Sequence, residues 1–202
     1  MDRFSLFPTP LFVFDVPDTE ELNRELENQL LLEAQAGQGI QRSNVGGWHS
    51  TPNLAQRPEP CFHALMELMV EHVRHVVDRL GRDAALPPVP RYRCGLQSWA
   101  MILRDGDYVM PHDHGDCHFS TVYYVDAGDP VRASGKLTFV DPRQGRRPIP
   151  ERELFPSNFT VDPRSSALVI FPGWLQHYVH PYRGERPRIS ISANVVLELS
   201  AQ

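Results

Sequence analysis

From residue 91 onward the chain breaks into short runs rich in β-branched and aromatic residues, over 91–103, 119–125, 136–140, 167–171 and 189–197, each set off by turn residues. Runs this short predict an all-β barrel or double sheet, in which successive side chains alternate between two faces. Helical periodicity is confined to the first half. Asp18 and Glu21 form a capping-box-like start, Leu22, Leu26 and Leu30 recur at helical spacing, and Gly37 and Gly39 end a helix over about 19–36. Phe62, Met66, Met69, Val73, Val77 and Leu80 trace the apolar stripe of a second helix over roughly 60–80, with Gly81 as its stop. A first strand is expected over 11–16.

The stiff segment Leu86-Pro87-Pro88-Val89-Pro90 connects the two halves and does not divide them, because the preceding part could not build a substantial core alone. The expected architecture is mostly β with flanking helices. It is a single domain over 1–202, with a helical support region over about 18–82 and a jelly-roll-like double-sheet core over about 90–199. The stretch 141–159 carries Arg143, Arg146, Arg147 and Arg152 without periodicity, and is read as a lid or substrate loop.

With 41% hydrophobic residues, 202 residues can bury one sizeable core. A net charge of −5 supplies no clustered basic face for nucleic acid, and no apolar run is long enough to span a membrane. Cys61, Cys94 and Cys117 are odd in number and widely spaced, which suits neither a disulfide framework nor a zinc ribbon and points to a reducing, cytoplasmic setting. The expected partners are a small-molecule or peptide substrate and, in a homodimer, a second copy of the chain.

Three of the nine histidines fall within Met110-Pro111-His112-Asp113-His114-Gly115-Asp116-Cys117-His118. In extended chain His112 and His114 point to one side and Asp113 to the other. A third metal ligand is best supplied by His177, directly after the apolar run ending at Phe171. Such a triad covers one face of an octahedral iron and leaves positions open for small molecules. Asp116, or Asp113 on a bulged strand, is the alternative to His114. His118 and His180 are nearby polar residues, His72 and His75 belong to the polar side of the second helix, and His49 and His63 carry no usable spacing.

Eleven positions after His177, Arg188 opens the alternating run Arg188-Ile189-Ser190-Ile191-Ser192-Ala193-Asn194. Arg188, Ser190 and Ser192 share a face. A guanidinium aimed into a barrel beside a metal needs an anionic partner, and a small dicarboxylate would provide one through two parallel hydrogen bonds. Arg186 is a second candidate for that role.

The chain resembles the 2-oxoglutarate- and iron(II)-dependent oxygenases with a double-stranded β-helix core, related to prolyl hydroxylases. The resemblance runs through Leu6-Phe7-Pro8-Thr9-Pro10-Leu11, Asn44-Val45-Gly46-Gly47-Trp48-His49-Ser50, Ser98-Trp99, Gly106-Asp107, the His112–His114 segment, Val122-Tyr123-Tyr124-Val125, Phe171-Pro172-Gly173-Trp174-Leu175-Gln176-His177 and the Arg188 strand. It implies that His112 and His177 are iron ligands and that Arg188, Ser190 and Tyr124 hold the distal carboxylate of 2-oxoglutarate. It also implies substrate hydroxylation coupled to cosubstrate decarboxylation. Most of the wider superfamily has a carboxylate where this chain has His114. A neutral imidazole there leaves the site one unit more positive. The competing readings are a three-histidine cupin-type dioxygenase without 2-oxoglutarate and a sensor that binds metal or 2-oxoglutarate without turnover.

Overall fold

The structure is a computed structural model and describes residues 7–87, 91–132, 134–143 and 156–199. Both helices form where apolar spacing places them, and both differ at one end. Helix α1 spans Glu20–Ala36 and buries Leu26 and Leu30, but the capping box is absent. Asp18 takes a left-handed backbone (φ 56°), and Thr19 is the N-cap without a side-chain cap. The Thr19 hydroxyl instead donates to Ser166 Oγ (2.7 Å), which also accepts from Asn23, whose own carbonyl accepts the Tyr123 hydroxyl (2.7 Å). Tertiary bonds to the sheet replace the local cap.

Helix α2 spans Pro60–Asp83 and buries Phe62, Leu65, Met66, Met69, Val73 and Val76. Gly81 does not stop it. The helix closes as a Schellman motif two residues beyond its end. Leu86 N–H donates to Gly81 C=O (3.0 Å) and Ala85 N–H to Arg82 C=O (3.0 Å), with Ala85 in the left-handed region.

The strands are β1 (Phe12–Asp15), β2 (Asn44–Val45), β3 (Trp48–His49), β4 (Tyr92–Leu103), β5 (Tyr108–His112), β6 (Phe119–Asp126), β7 (Leu137–Val140), β8 (Asn158–Val161), β9 (Ala167–Pro172), β10 (His177–Val179) and β11 (Arg188–Leu199). They form two antiparallel sheets, ordered β1-β9-β6-β11-β4-β3 and β2-β5-β10-β7-β8. The five runs expected from sequence correspond to β4, β6, β7, β9 and β11. The end of the expected lid, at 158–159, is instead the start of β8, paired with β7. Arg143 is tied to Asp141 by two side-chain bonds (2.9 and 2.7 Å), and Arg146, Arg147 and Arg152 lie outside the described residues.

Strand alternation divides the buried side chains into two cores. Ala100, Ile102, Tyr123, Leu168, Ile170, Ile189, Ile191 and Val195 leave the six-stranded sheet toward α1 and α2. Their neighbours Met101, Leu103, Val122, Tyr124, Val169 and Phe171 leave it toward the five-stranded sheet. The functional residues lie within this second, inter-sheet layer. The turn from β2 to β3 fixes its rim. Gly46 and Gly47 both have positive φ, and a Cβ on Gly46 would strike the Asp107 carboxylate at 2.0 Å. Among the described residues no helix is long and apolar enough to cross a membrane.

Candidate functional site

His112 ends β5 and His177 begins β10, and the two are directly paired across the ladder, so their side chains share a face. His114 lies beyond the strand but returns to the same point. Ring centroids are 4.9 Å apart for His112–His114, 4.4 Å for His112–His177 and 5.1 Å for His114–His177. The candidate ligand atoms of all three lie within 4.8 Å of one another, a cluster that could hold a metal ion. Among the described residues no aspartate joins it. Asp113 is exposed and accepts from Gly115 N–H (3.2 Å), and Asp116 is exposed.

The backbone sets the tautomers. His112 Nδ1 lies 2.8 Å from Met110 C=O and His177 Nδ1 2.9 Å from Leu175 C=O. A carbonyl only accepts, so each Nδ1 carries the proton and each Nε2 is left with a lone pair for a metal. His114 has no ring hydrogen bond among the described residues. It tilts against Trp99 at 5.4 Å, and its loop is tied to Gly173 by His114 N–H to Gly173 C=O (2.8 Å). A Cβ at Gly173 would meet His114 C=O at 2.9 Å and Cys117 at 2.5 Å, so only glycine lets the two loops approach this closely. Burial holds the His114 and His177 pKa values down, to about 4 and about 3, with repulsion from His112 adding to both; burial lowers that of His112 as well. The triad is therefore neutral at pH 7, the state in which imidazole binds metal.

Beside the triad, a cavity of about 360 Å³ reaches down to Arg188, which is only 2% exposed. Among the described residues no carboxylate pairs with this guanidinium. Its Nη1 donates weakly to Ser190 Oγ (3.3 Å), its Nε has no partner, and its carbon centre sits 4.9 Å over the Tyr124 ring. The Tyr124 hydroxyl is also buried without a partner, and burial pushes its pKa up, which keeps it a donor. A buried charge without a counter-ion is costly unless an anion completes it. Arg186, the other candidate, has an exposed guanidinium that pairs with Asp126.

The remaining histidines separate clearly. His118 accepts Leu197 N–H (3.1 Å) on the outside, His180 bonds Thr138 Oγ1 (2.9 Å), and His72 packs edge-on against Phe14 (4.8 Å). His49, for which sequence spacing offers no role, lines the cavity and stacks on Trp99 at 6.0 Å and 7°. Its signal lies in strand pairing, since His49 is opposite Met101 and Met101 is opposite Ser190. Gln97, Asn194 and Arg42 also line the cavity, and a reading of local motifs passes over all three.

Residues 97–194, just under half the chain, match the family model described as "Putative 2OG-Fe(II) oxygenase". No curated protein sequence matches the chain significantly. Among solved structures it is similar to a Pseudomonas putida prolyl-4-hydroxylase, with 15% identity, a TM-score of 0.60, and coverage of 96% of this chain and 93% of that one. It is similar to a Paramecium Bursaria Chlorella virus-1 collagen prolyl hydroxylase in complex with 2-oxoglutarate (13%, TM-score 0.57, 92% and 94%). It is also similar to Streptomyces hygroscopicus HygX with nickel and 2-oxoglutarate bound (13%, TM-score 0.59, 92% and 83%). The fold is the double-stranded β-helix shared with these 2-oxoglutarate- and iron(II)-dependent oxygenases, and the family match over 97–194 agrees with the resemblance seen in the sequence.

Proposed function

We propose that the chain is an iron(II)- and 2-oxoglutarate-dependent oxygenase that hydroxylates a C–H bond of a small molecule, amino acid or peptide. The observation that carries this reading is the buried, unpaired Arg188 next to three converging histidines. His112, His114 and His177 would hold iron(II) through their free ring nitrogens. Arg188, with Ser190 and the Tyr124 hydroxyl, would hold the distal carboxylate of 2-oxoglutarate. Once bound, metal and cosubstrate supply the oxidising chemistry, in which one oxygen atom of O₂ enters the substrate and the other enters succinate, with release of carbon dioxide. The chain's own contribution is to keep the imidazoles neutral, to complete Arg188 only when a dicarboxylate arrives, and to shield the reacting centre behind Val122, Leu137 and Val179.

Three histidines without a carboxylate would also serve a cupin-type dioxygenase that uses no 2-oxoglutarate, but that reading leaves Arg188 unpaired. The test is anaerobic addition of iron(II) and 2-oxoglutarate, followed by the charge-transfer absorption of the chelate. The band is expected in the native chain, and its loss is expected in Arg188→Ala and His114→Ala. An unchanged band in His114→Ala would remove His114 from the ligand set, and absence of any band in the native chain would favour the cupin-type reading.

A further inference from the structure

The inner face of β11 continues past the Arg188–Ser190 end. Register places Arg188 opposite Leu103, Ser190 opposite Met101 and Tyr124, Ser192 opposite Trp99 and Val122, and Asn194 opposite Gln97 and Ser120. Arg188 to Asn194 spans roughly 20 Å at strand rise. His114 meets Trp99, the partner of Ser192, so the metal cluster stands over the middle of this ladder and the Asn194 rung lies beyond it. Three features of the cavity wall are left unused by the cosubstrate. Asn194 Oδ1 is buried without a hydrogen-bond partner. Trp99 and His49 present a stacked planar wall. The Arg42 guanidinium lines the cavity close enough to His49 to lower its pKa, after the larger effect of burial, and pairs with no carboxylate among the described residues.

We infer that the cavity they line together recognises a carboxylate that also carries a neutral amide, the chemistry of an N-acylated amino acid or a peptide C-terminus, with Asn194 meeting the amide and Arg42 the carboxylate. The inference rests on the oxygenase reading for its role in substrate selection, but its residues are separate from the metal and cosubstrate ligands.

Charge and hydrogen-bonding chemistry both restrict the ligand. Among the described residues no aspartate or glutamate lines the cavity, so an ammonium group would enter without a counter-charge, whereas an acylated nitrogen needs none. The metal cluster is made of three histidines and contributes no negative charge of its own. With the cosubstrate's distal carboxylate on Arg188, the Arg42 guanidinium is left to be met by a further anion. A side-chain amide offers an acceptor and a donor together, the complement of a secondary amide, and an unmatched ligand would leave Asn194 Oδ1 unpaired in the complex. A cavity of about 360 Å³ limits the occupant to a small molecule or the last residue of a chain.

The test uses the metal-free full chain and a panel of N-acetyl-L-amino acids, their N-methylamides (which lack the carboxylate) and the free amino acids, with binding read from tryptophan fluorescence and ligand-observed NMR. At least one N-acetyl-amino acid is expected to bind about tenfold or more tightly than its free amino acid and its N-methylamide. Arg42→Met should abolish the preference over the N-methylamide while leaving N-methylamide binding unchanged, and Asn194→Ala should weaken both acylated ligands alike. Arg42 is exposed, so its replacement does not threaten folding. Failure of the whole panel to bind, an unchanged preference in Arg42→Met, or a free amino acid binding as tightly as its acetylated form would overturn the inference. The iron and 2-oxoglutarate chelate band, measured on the same preparation, separates the two claims: a band without ligand binding sinks only this one, and ligand binding without a band sinks only the oxygenase reading.

Discussion

The two faces of β11 have the same backbone and opposite fates. Ile189, Ile191, Ala193 and Val195 point toward the helices and are fully buried among apolar neighbours. Arg188, Ser190, Ser192 and Asn194 point the other way and line a cavity. Among the described residues, the buried side-chain polar atoms without a partner include Ser120, Tyr124, Arg188 and Asn194 on the inner face, against Trp48 and Ser98 on the outer. Only the inner face leaves a charged group incomplete. Each fully buried isoleucine contributes about 1.5–3 kcal/mol, while each unpaired buried polar group costs about 1–3 kcal/mol. One strand thus carries stability on one side and unspent binding capacity on the other, and substitutions on the two sides should separate folding from chemistry.

The largest effects are expected where the inner face is emptied. His177→Ala should reduce iron(II) binding and 2-oxoglutarate-dependent succinate formation to background, measured by metal analysis and product assay, with the melting temperature held within a few degrees. Arg188→Ala should weaken 2-oxoglutarate binding by about 100-fold or more, since charge-assisted bidentate bonds to a buried carboxylate are lost. Its apoprotein should be no less stable than the native chain, because an uncompensated buried cation is removed. A clear drop in apoprotein stability for Arg188→Ala would mean that the guanidinium is structural and would break the contrast between the faces. The reciprocal change is Ile191→Ala, expected to cost about 2–5 kcal/mol in denaturant unfolding while leaving the chelate band intact at temperatures where the variant is folded.

How far the sequence revealed this division depends on whether the cause was local. The alternation in Arg188-Ile189-Ser190-Ile191-Ser192 is a local signal, and it placed Arg188 and Ser190 together on the inner face. The spacing of His112 and His114 likewise put both on one side, even though β5 ends at His112. What stayed hidden depended on pairing between distant segments. The two- and three-residue strands β2, β3 and β10 are too short to show any period, so neither the His177–His112 register nor the entry of His49 into the cavity could be read. The start of α1 departs from its local signal for the same reason, because Thr19 is satisfied by Ser166 in the sheet and not by its own first turn. Gly81 does not end α2 because the Schellman closure falls at Ala85, with alanine in a left-handed position.

The smallest effect distinguishes the faces through protons. His114 and His177 titrate at about 4 and about 3 in the folded chain, below the ordinary value of 6.5, chiefly because they are buried. Above pH 6.5 the folded and unfolded chains are both neutral at these groups, and stability does not depend on them. Below 6.5 the unfolded chain takes up protons that the folded chain refuses, so unfolding becomes easier as pH falls, until the folded groups also titrate. Each such imidazole adds a slope of at most about 1.4 kcal/mol per pH unit. Calorimetry of the metal-free chain between pH 7 and pH 5, above the main carboxylate range, should show a decline that is shallower in His177→Ala than in the native chain. Ile191→Ala should shift the whole curve downward without changing its slope. If His177→Ala and the native chain decline in parallel, the buried imidazole on the inner face is not the source of the acid sensitivity, and the two faces are less different than their burial suggests.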